Sequence, residues 1–314
     1  SFAHASSGES TENALASTPS ARIPFTIYSA ISFVLPVLLI RGFTTLYPVF
    51  ATVKDSFYQI KLLRSPIPKW IGLDNYFRIF KDPKLLASIE FTLIFTICSV
   101  FFLIIFGTLF ALLLNAQFAG RKFMSTIALI PWAMPMVVIG MAAKWGFNDT
   151  YGMINDLVRR FVPGFHLNWL MTTNTARIAV ICVDLWKNIP YFAILVLAAL
   201  QFIPGDIYEA ARIDGASRIQ SFFRITLPNI IKTILNLSIF FTIWRMTSYD
   251  IVYAMTSGGP ANSTSLLAYR IMMESFTNLN VGYAASIAVM LFLVMALISS
   301  GGMAIIRRID VGGN

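Results

Sequence analysis

The chain has 314 residues, 57% of them hydrophobic and only 12% charged, with a mean hydropathy of +0.70 and a formal charge of +9. Soluble proteins carry about 25% charged residues, so this composition excludes an ordinary soluble globular protein and points to a polytopic membrane protein. The Lys and Arg residues are scattered among loops instead of forming one stripe with aromatic neighbours, so the positive charge belongs to membrane flanks and implies no nucleic acid.

Residues 1–22 are rich in Ser, Ala, Thr and Glu and lack a basic start followed by an apolar core. That pattern argues against a cleavable signal peptide and predicts a disordered tail ahead of a membrane domain over 23–314. A helix needs roughly 20 mostly apolar residues to cross about 30 Å of hydrocarbon. Six segments meet this, near 27–52, 87–114, 123–146, 176–200, 230–254 and 283–306. The expected fold class is an all-α polytopic membrane protein with six transmembrane helices.

The first span carries Pro36, Arg41, Gly42 and Pro48, an unusual load for a lipid-facing helix, and Arg41 is expected to find a backbone carbonyl or to snorkel. Beyond it, Trp70 to Phe80 alternates apolar and polar groups as an interfacial helix with aromatic anchors would. Cys98 and Cys182 fall inside predicted spans and read as small apolar fillers, not as a disulfide or metal framework. In the third span Pro131 and Pro135, at i and i+4, predict a kink or local unwinding. Tyr151 to Leu157 has helical periodicity and is followed by Asn168-Trp169-Leu170, together an outer rim able to receive a partner or to lie in the headgroup layer. After span five, Ser257-Gly258-Gly259-Pro260 is a tight turn.

Residues 203–228 form a polar, charge-bearing island between spans four and five. Pro204-Gly205 stops the preceding helix; Asp206 is placed to cap a new one beginning at about Ile207, with Glu209 in its first turn. Gly215 supplies a break, Ser217 and Gln220 have capping-box spacing for a second short helix, and Pro228 is expected to end it. Ala210, Ala211, Gly215 and Ala216 keep one side of the bend slim, while Arg212, Arg218 and Arg224 hold the loop in water.

This island, reading Glu209-Ala210-Ala211, Asp214-Gly215-Ala216, then Ile225, Leu227 and Pro228, resembles the EAA loop of ABC-importer permeases in its carbohydrate-importer form. The phrases Gly72-Leu73-Asp74-Asn75-Tyr76 and Thr256 to Pro260 are similar to that family as well. The positive-inside rule does not orient the chain, because the loop after span one is rich in Lys and Arg too. The resemblance implies a cytoplasmic coupling-helix loop at 203–228, both termini cytoplasmic, and a bacterial or archaeal cell (inner) membrane location. It further implies a second homologous permease, two cytoplasmic ATPase subunits that bind ATP and Mg, an extracytoplasmic sugar-binding protein and a sugar substrate such as trehalose or maltose. No GxxxxGK phosphate loop occurs in the chain, so ATP hydrolysis would belong to another chain.

Polar groups within spans are functional candidates, since burying them without partners is costly. Span four carries Asp184, Asn188 and Tyr191 at i, i+4, i+7 spacing, with Trp186 and Lys187 beside them. Span five carries Trp244, Arg245, Ser248, Tyr249 and Asp250. A sugar needs rings for its C–H face and mixed donors and acceptors for its hydroxyls, and both clusters supply them. The alternative is that Asp184, Lys187, Arg245 and Asp250 neutralise one another as structural ion pairs. His4 and His166 lie outside the spans, which leaves no His-based triad or metal cluster within them and no catalytic residue to nominate. A secondary transporter or channel is the competing functional class.

Overall fold

The computed structural model describes residues 23–63 and 65–311; the tail predicted over 1–22 lies outside them. Five described helices are long and apolar enough to cross a membrane, and a sixth candidate is bent by 91°. The first of them, α1 (Ile23–Asp55), keeps Pro36 and Pro48 inside the helix. Its side chains from Ile31 to Phe50, Arg41 included, are exposed except at Gly42.

A hairpin of β1 (Tyr58–Lys61) and β2 (Ser65–Trp70) follows, antiparallel, pairing Tyr58 with Trp70 and Lys61 with Ser65. The helix expected from Trp70 is therefore shorter. Gly72, at φ +59°, turns the chain, and only α2 (Asp74–Ile79) is helical. Trp70 belongs to the strand because its ring stacks on Phe57 at 5.6 Å. Asn75 holds α2 against the hairpin, its Nδ2 donating to the carbonyls of Ser56 (2.9 Å) and Tyr58 (3.0 Å).

Helix α3 (Pro83–Asn115) begins at Asp82, whose Oδ1 accepts from the Lys84 and Leu85 amides. Pro at the first position and a capping carboxylate make a strong start. The predicted third span is three pieces, α4 (Arg121–Ala128), α5 (Ile130–Ala133) and α6 (Met136–Gly146), so the two prolines produce a right-angled break, sharper than the expected kink. Next, α7 (Met153–Arg159) is stapled by Asn155, which donates to the Asp149 and Leu167 carbonyls and accepts from Trp169 Nε1 at 2.8 Å. Helix α8 (Thr173–Leu200) packs along α3, where a side chain at Gly107 would run into the Phe192 ring. Cys98 is part-buried and Cys182 exposed, both as free thiols, so Cys182 does not fill the interior.

After α8 come α9 (Gly205–Ile213), α10 (Arg218–Ser221), a π turn over Phe222–Thr226 and α11 (Leu227–Met246). Two local expectations change here. Asp206 sits in the first turn of α9 instead of capping it, the cap position being Pro204. Pro228 opens α11 instead of ending a helix, because the π turn, closed by the Leu227 amide on the Phe222 carbonyl, runs straight into it. A proline in the first turn removes no helical hydrogen bond.

The predicted fifth span also breaks: α11 ends at Met246, and α12 (Asp250–Met255) follows after Thr247 to Tyr249. Helices α6 and α12 press together at Gly140, where a Cβ would lie 2.7 Å from that of Ala254. The chain closes with α13 (Leu267–Met272), a second π turn over Met273–Thr277 and α14 (Val281–Val311). Between α12 and α13, Thr264 ties the Ser257 to Pro260 turn by donating to the Gly259 carbonyl at 2.6 Å. Polar groups knit this end of the molecule: Tyr283 donates to Asp82 at 3.1 Å, Arg78 lies over the Tyr283 ring, and Arg177 pairs with Glu90 at 2.8 Å.

Candidate functional site

The two breaks, at Met134-Pro135 and at Thr247–Tyr249, flank the middle of α8, and between them lies a cavity of about 220 Å³. Its lining includes Asp184, Asn188, Trp244, Arg245, Ser248 and Asp250, joined by Lys187 and Met136. Six of the eight residues nominated from the sequence thus meet at one cavity. Tyr191 stands beside it, stacked on Trp132 at 4.2 Å and edge-on to Trp244. Tyr249 lies in the α11–α12 break and is 45% exposed, off the helix that carries Arg245.

Within the cavity the charged groups have different jobs. Arg245 and Asp184 are 2% exposed and pair at one carboxylate oxygen, Nε donating to Oδ2 at 3.1 Å and Nη2 lying 3.0 Å from the same atom. Asn188 Nδ2 donates to Asp184 Oδ1 at 3.0 Å, so the carboxylate is engaged on both oxygens. Arg245 also occupies the last turn of α11, where its positive charge meets the negative end of the helix. Trp244, Ser248, Tyr249 and Asp250 remain partly exposed toward the opening.

Lys187 does not pair with a carboxylate. Its Nζ donates to the carbonyls of Pro131 (3.3 Å), Trp132 (2.7 Å) and Met134 (2.6 Å). Helix α5 ends there, so the Pro131 carbonyl receives only a long backbone bond from the Met134 amide (3.4 Å), Pro135 having no amide to return to it. A buried ammonium with three donors is matched by three acceptors, and the right-angled break of span three is held from α8. The sequence signal for this was present in two pieces, the Pro131/Pro135 pair and an intramembrane lysine, but nothing in the spacing linked them. Lys187→Met should lower stability by about 2 kcal/mol, the range for charged hydrogen bonds, read as a lower melting temperature of the purified protein. An unchanged melting temperature would mean that the break is held by other contacts.

The loop after α8 is built for rigidity. At the end of α9 the Gly215 amide donates to the Arg212 carbonyl (3.0 Å) and the Ala216 amide to the Ala211 carbonyl (2.9 Å), with Gly215 at φ +78°. This is a Schellman closure, which needs a left-handed residue at the glycine position. Ser217 and Gln220 form the reciprocal capping box that starts α10. Tyr208 ties α9 back to the π turn through Thr226 at 2.9 Å. Glu209, Ala210, Asp214 and Gly215 are exposed, Ala211 and Ala216 partly so, and Ile213 beside the bend is 87% exposed.

The chain is 34% identical to the sulfoquinovosyl glycerol transport system permease protein SmoG of Agrobacterium fabrum, over 90% of this chain and 91% of the relative. It is also 34% identical to the trehalose/maltose transport system permease protein MalF of Thermococcus litoralis, over 83% and 88%. A bacterial ABC transporter involved in the import of the acidic polysaccharide alginate has a chain of the same fold, with a TM-score of 0.79 at 21% identity, covering 91% of this chain and 98% of that one. Residues 103–311, which contain the cavity and the capped loop, match the family described as binding-protein-dependent transport system inner membrane component. The chain belongs to that family, the membrane-embedded permeases of ABC importers.

Proposed function

We propose that the chain carries a di- or oligosaccharide such as trehalose or maltose across the membrane, as one permease of an ATP-driven importer. The observation that carries this reading is the cavity at the two helix breaks, where the Trp244 ring borders Ser248, Asp250 and Asn188. An aromatic plane beside donors and acceptors suits a sugar's two kinds of surface. The relatives named for sulfoquinovosyl glycerol and for trehalose/maltose support a glycosidic substrate.

In this reading a binding protein delivers the sugar from outside and a second, homologous permease completes the path. Two ATPase chains bind ATP and Mg and receive the loop at Glu209, Ala210, Ala211, Asp214, Gly215 and Ala216; both termini are cytoplasmic. The rigid bend and its exposed Ile213 support a docking tip, since an apolar side chain left in water at a fixed position favours a partner. Asp184, Asn188 and Arg245 shape the wall of the path, while Tyr191, Trp244, Ser248, Tyr249 and Asp250 meet the sugar.

Single replacements of Trp244, Ser248, Tyr249 or Asp250 by Ala should reduce uptake severalfold at unchanged membrane abundance, since one lost hydrogen bond is worth about 0.5 to 1.5 kcal/mol. Uptake that falls only in proportion to abundance would remove these residues from the path.

A further inference from the structure

The back of the capped loop borders a second, larger cavity of about 850 Å³ between α9, α10 and the end of α3. Its lining includes Arg212 and Arg218 with Tyr208, Ser221 and one docking residue, Ala216; Asp206, Glu209 and Asp214 do not line it. Leu109, Leu112 and Phe222 are shared with a neighbouring groove of about 270 Å³, which runs between α3 and α11 from Ile104 to Ile234 and has an almost wholly apolar lining. A cavity lined by two arginines therefore adjoins an apolar slot.

The dimensions fit one ligand class. From Ile104 to Leu113 the α3 wall rises about 14 Å, close to half of the roughly 30 Å hydrocarbon thickness, which is one leaflet. Arg212 and Arg218 line the cavity at the Leu109 to Leu113 end of that wall, on the charged loop between α8 and α11. Basic pockets beside transmembrane helices are suited to anionic headgroups. Neither a soluble anion nor a sugar has use for the apolar slot, and a zwitterionic lipid gains less from two arginines.

We propose that this groove binds one anionic phospholipid, with its phosphate at Arg212 and Arg218 and an acyl chain between α3 and α11. The bound lipid bridges the capped loop to α3, so membrane composition sets how firmly the loop is held. The site goes beyond the transport reading and does not depend on which sugar is carried.

The test uses the full chain, purified with its copurifying subunits into nanodiscs of phosphatidylcholine containing a small fraction of phosphatidylglycerol, and native mass spectrometry of the lipid that it retains. Wild-type protein should prefer phosphatidylglycerol about thirtyfold, given the attraction expected of two surface arginines. Arg212→Gln/Arg218→Gln should abolish the preference, Leu109→Trp should displace the lipid with both arginines in place, and Arg224→Gln, outside the groove, should change nothing. The double Gln variant alters exposed side chains, so it keeps the test valid if Leu109→Trp fails to fold.

Equal retention of the two lipids, or an undiminished preference in Arg212→Gln/Arg218→Gln, would overturn the proposal. So would full displacement by inorganic phosphate, which would indicate a free-anion site, or by a copurified ATPase, which would make that protein the occupant. Glu209→Lys separates this inference from the docking reading: it should release the ATPase while leaving phosphatidylglycerol bound.

Discussion

Arg245→Met should sharply reduce the folded protein recovered from membranes, and adding Asp184→Leu should restore most of it. The pair is 2–3% exposed at the side chains and held by two contacts near 3.0 Å. Removing one partner strands a buried carboxylate, a loss of about 3 to 5 kcal/mol, whereas replacing both charges with apolar groups of similar size is often near neutral. Asn188, which donates to Asp184 Oδ1, remains satisfied in the double variant through the backbone carbonyl of residue 184. Gel filtration of the detergent extract, calibrated against total membrane protein, reads the outcome. Full recovery of Arg245→Met would show that water reaches the pair and that the cavity wall does not depend on it.

The second large effect concerns the loop. Gly215→Leu places a branched side chain at φ +78°, with open space around the would-be Cβ. The penalty is therefore conformational, about 1 to 2 kcal/mol against the left-handed region, and the Schellman closure on Ala211 and Arg212 is what it opposes. That is too little to unfold a membrane helical core and enough to loosen the bend. Insertion and abundance should stay normal while ATP-driven uptake falls at least tenfold. Glu209→Lys, which reverses an exposed charge in α9 without touching the closure, should give the same loss through failed docking. Normal uptake in both variants would remove the coupling role from residues 203–228.

Much of the architecture is legible in the sequence because lipid imposes a length and polarity rule on each span. Gly215 and the Ser217/Gln220 box are readable from local chemistry alone, and the structure carries both. Misread elements share a different cause. The hairpin at 58–70 is stabilised by ring contacts of Trp70 with Phe57 and Tyr58, and no periodicity over so few residues separates it from an interfacial helix. Pro228 reads as a stop locally, yet the π turn before it lets the chain continue into α11. Polar span residues were visible as a set, but their division was not: only the fold shows that Lys187 serves the carbonyls of span three while Arg245 serves Asp184. Such assignments depend on which helices become neighbours, and spacing along one helix does not contain that information.

The proposed import of a sugar by this permease draws on another chain's ATP hydrolysis. Its most direct test is sugar accumulation in sealed vesicles containing the chain alone, or the chain with its copurified permease and ATPase subunits and the sugar-binding protein. ATP-dependent accumulation is expected only in the complete assembly, abolished by Glu209→Lys, with no ATP hydrolysis by the pure chain. Accumulation driven by an ion gradient through the chain alone would contradict it and make the protein a secondary transporter.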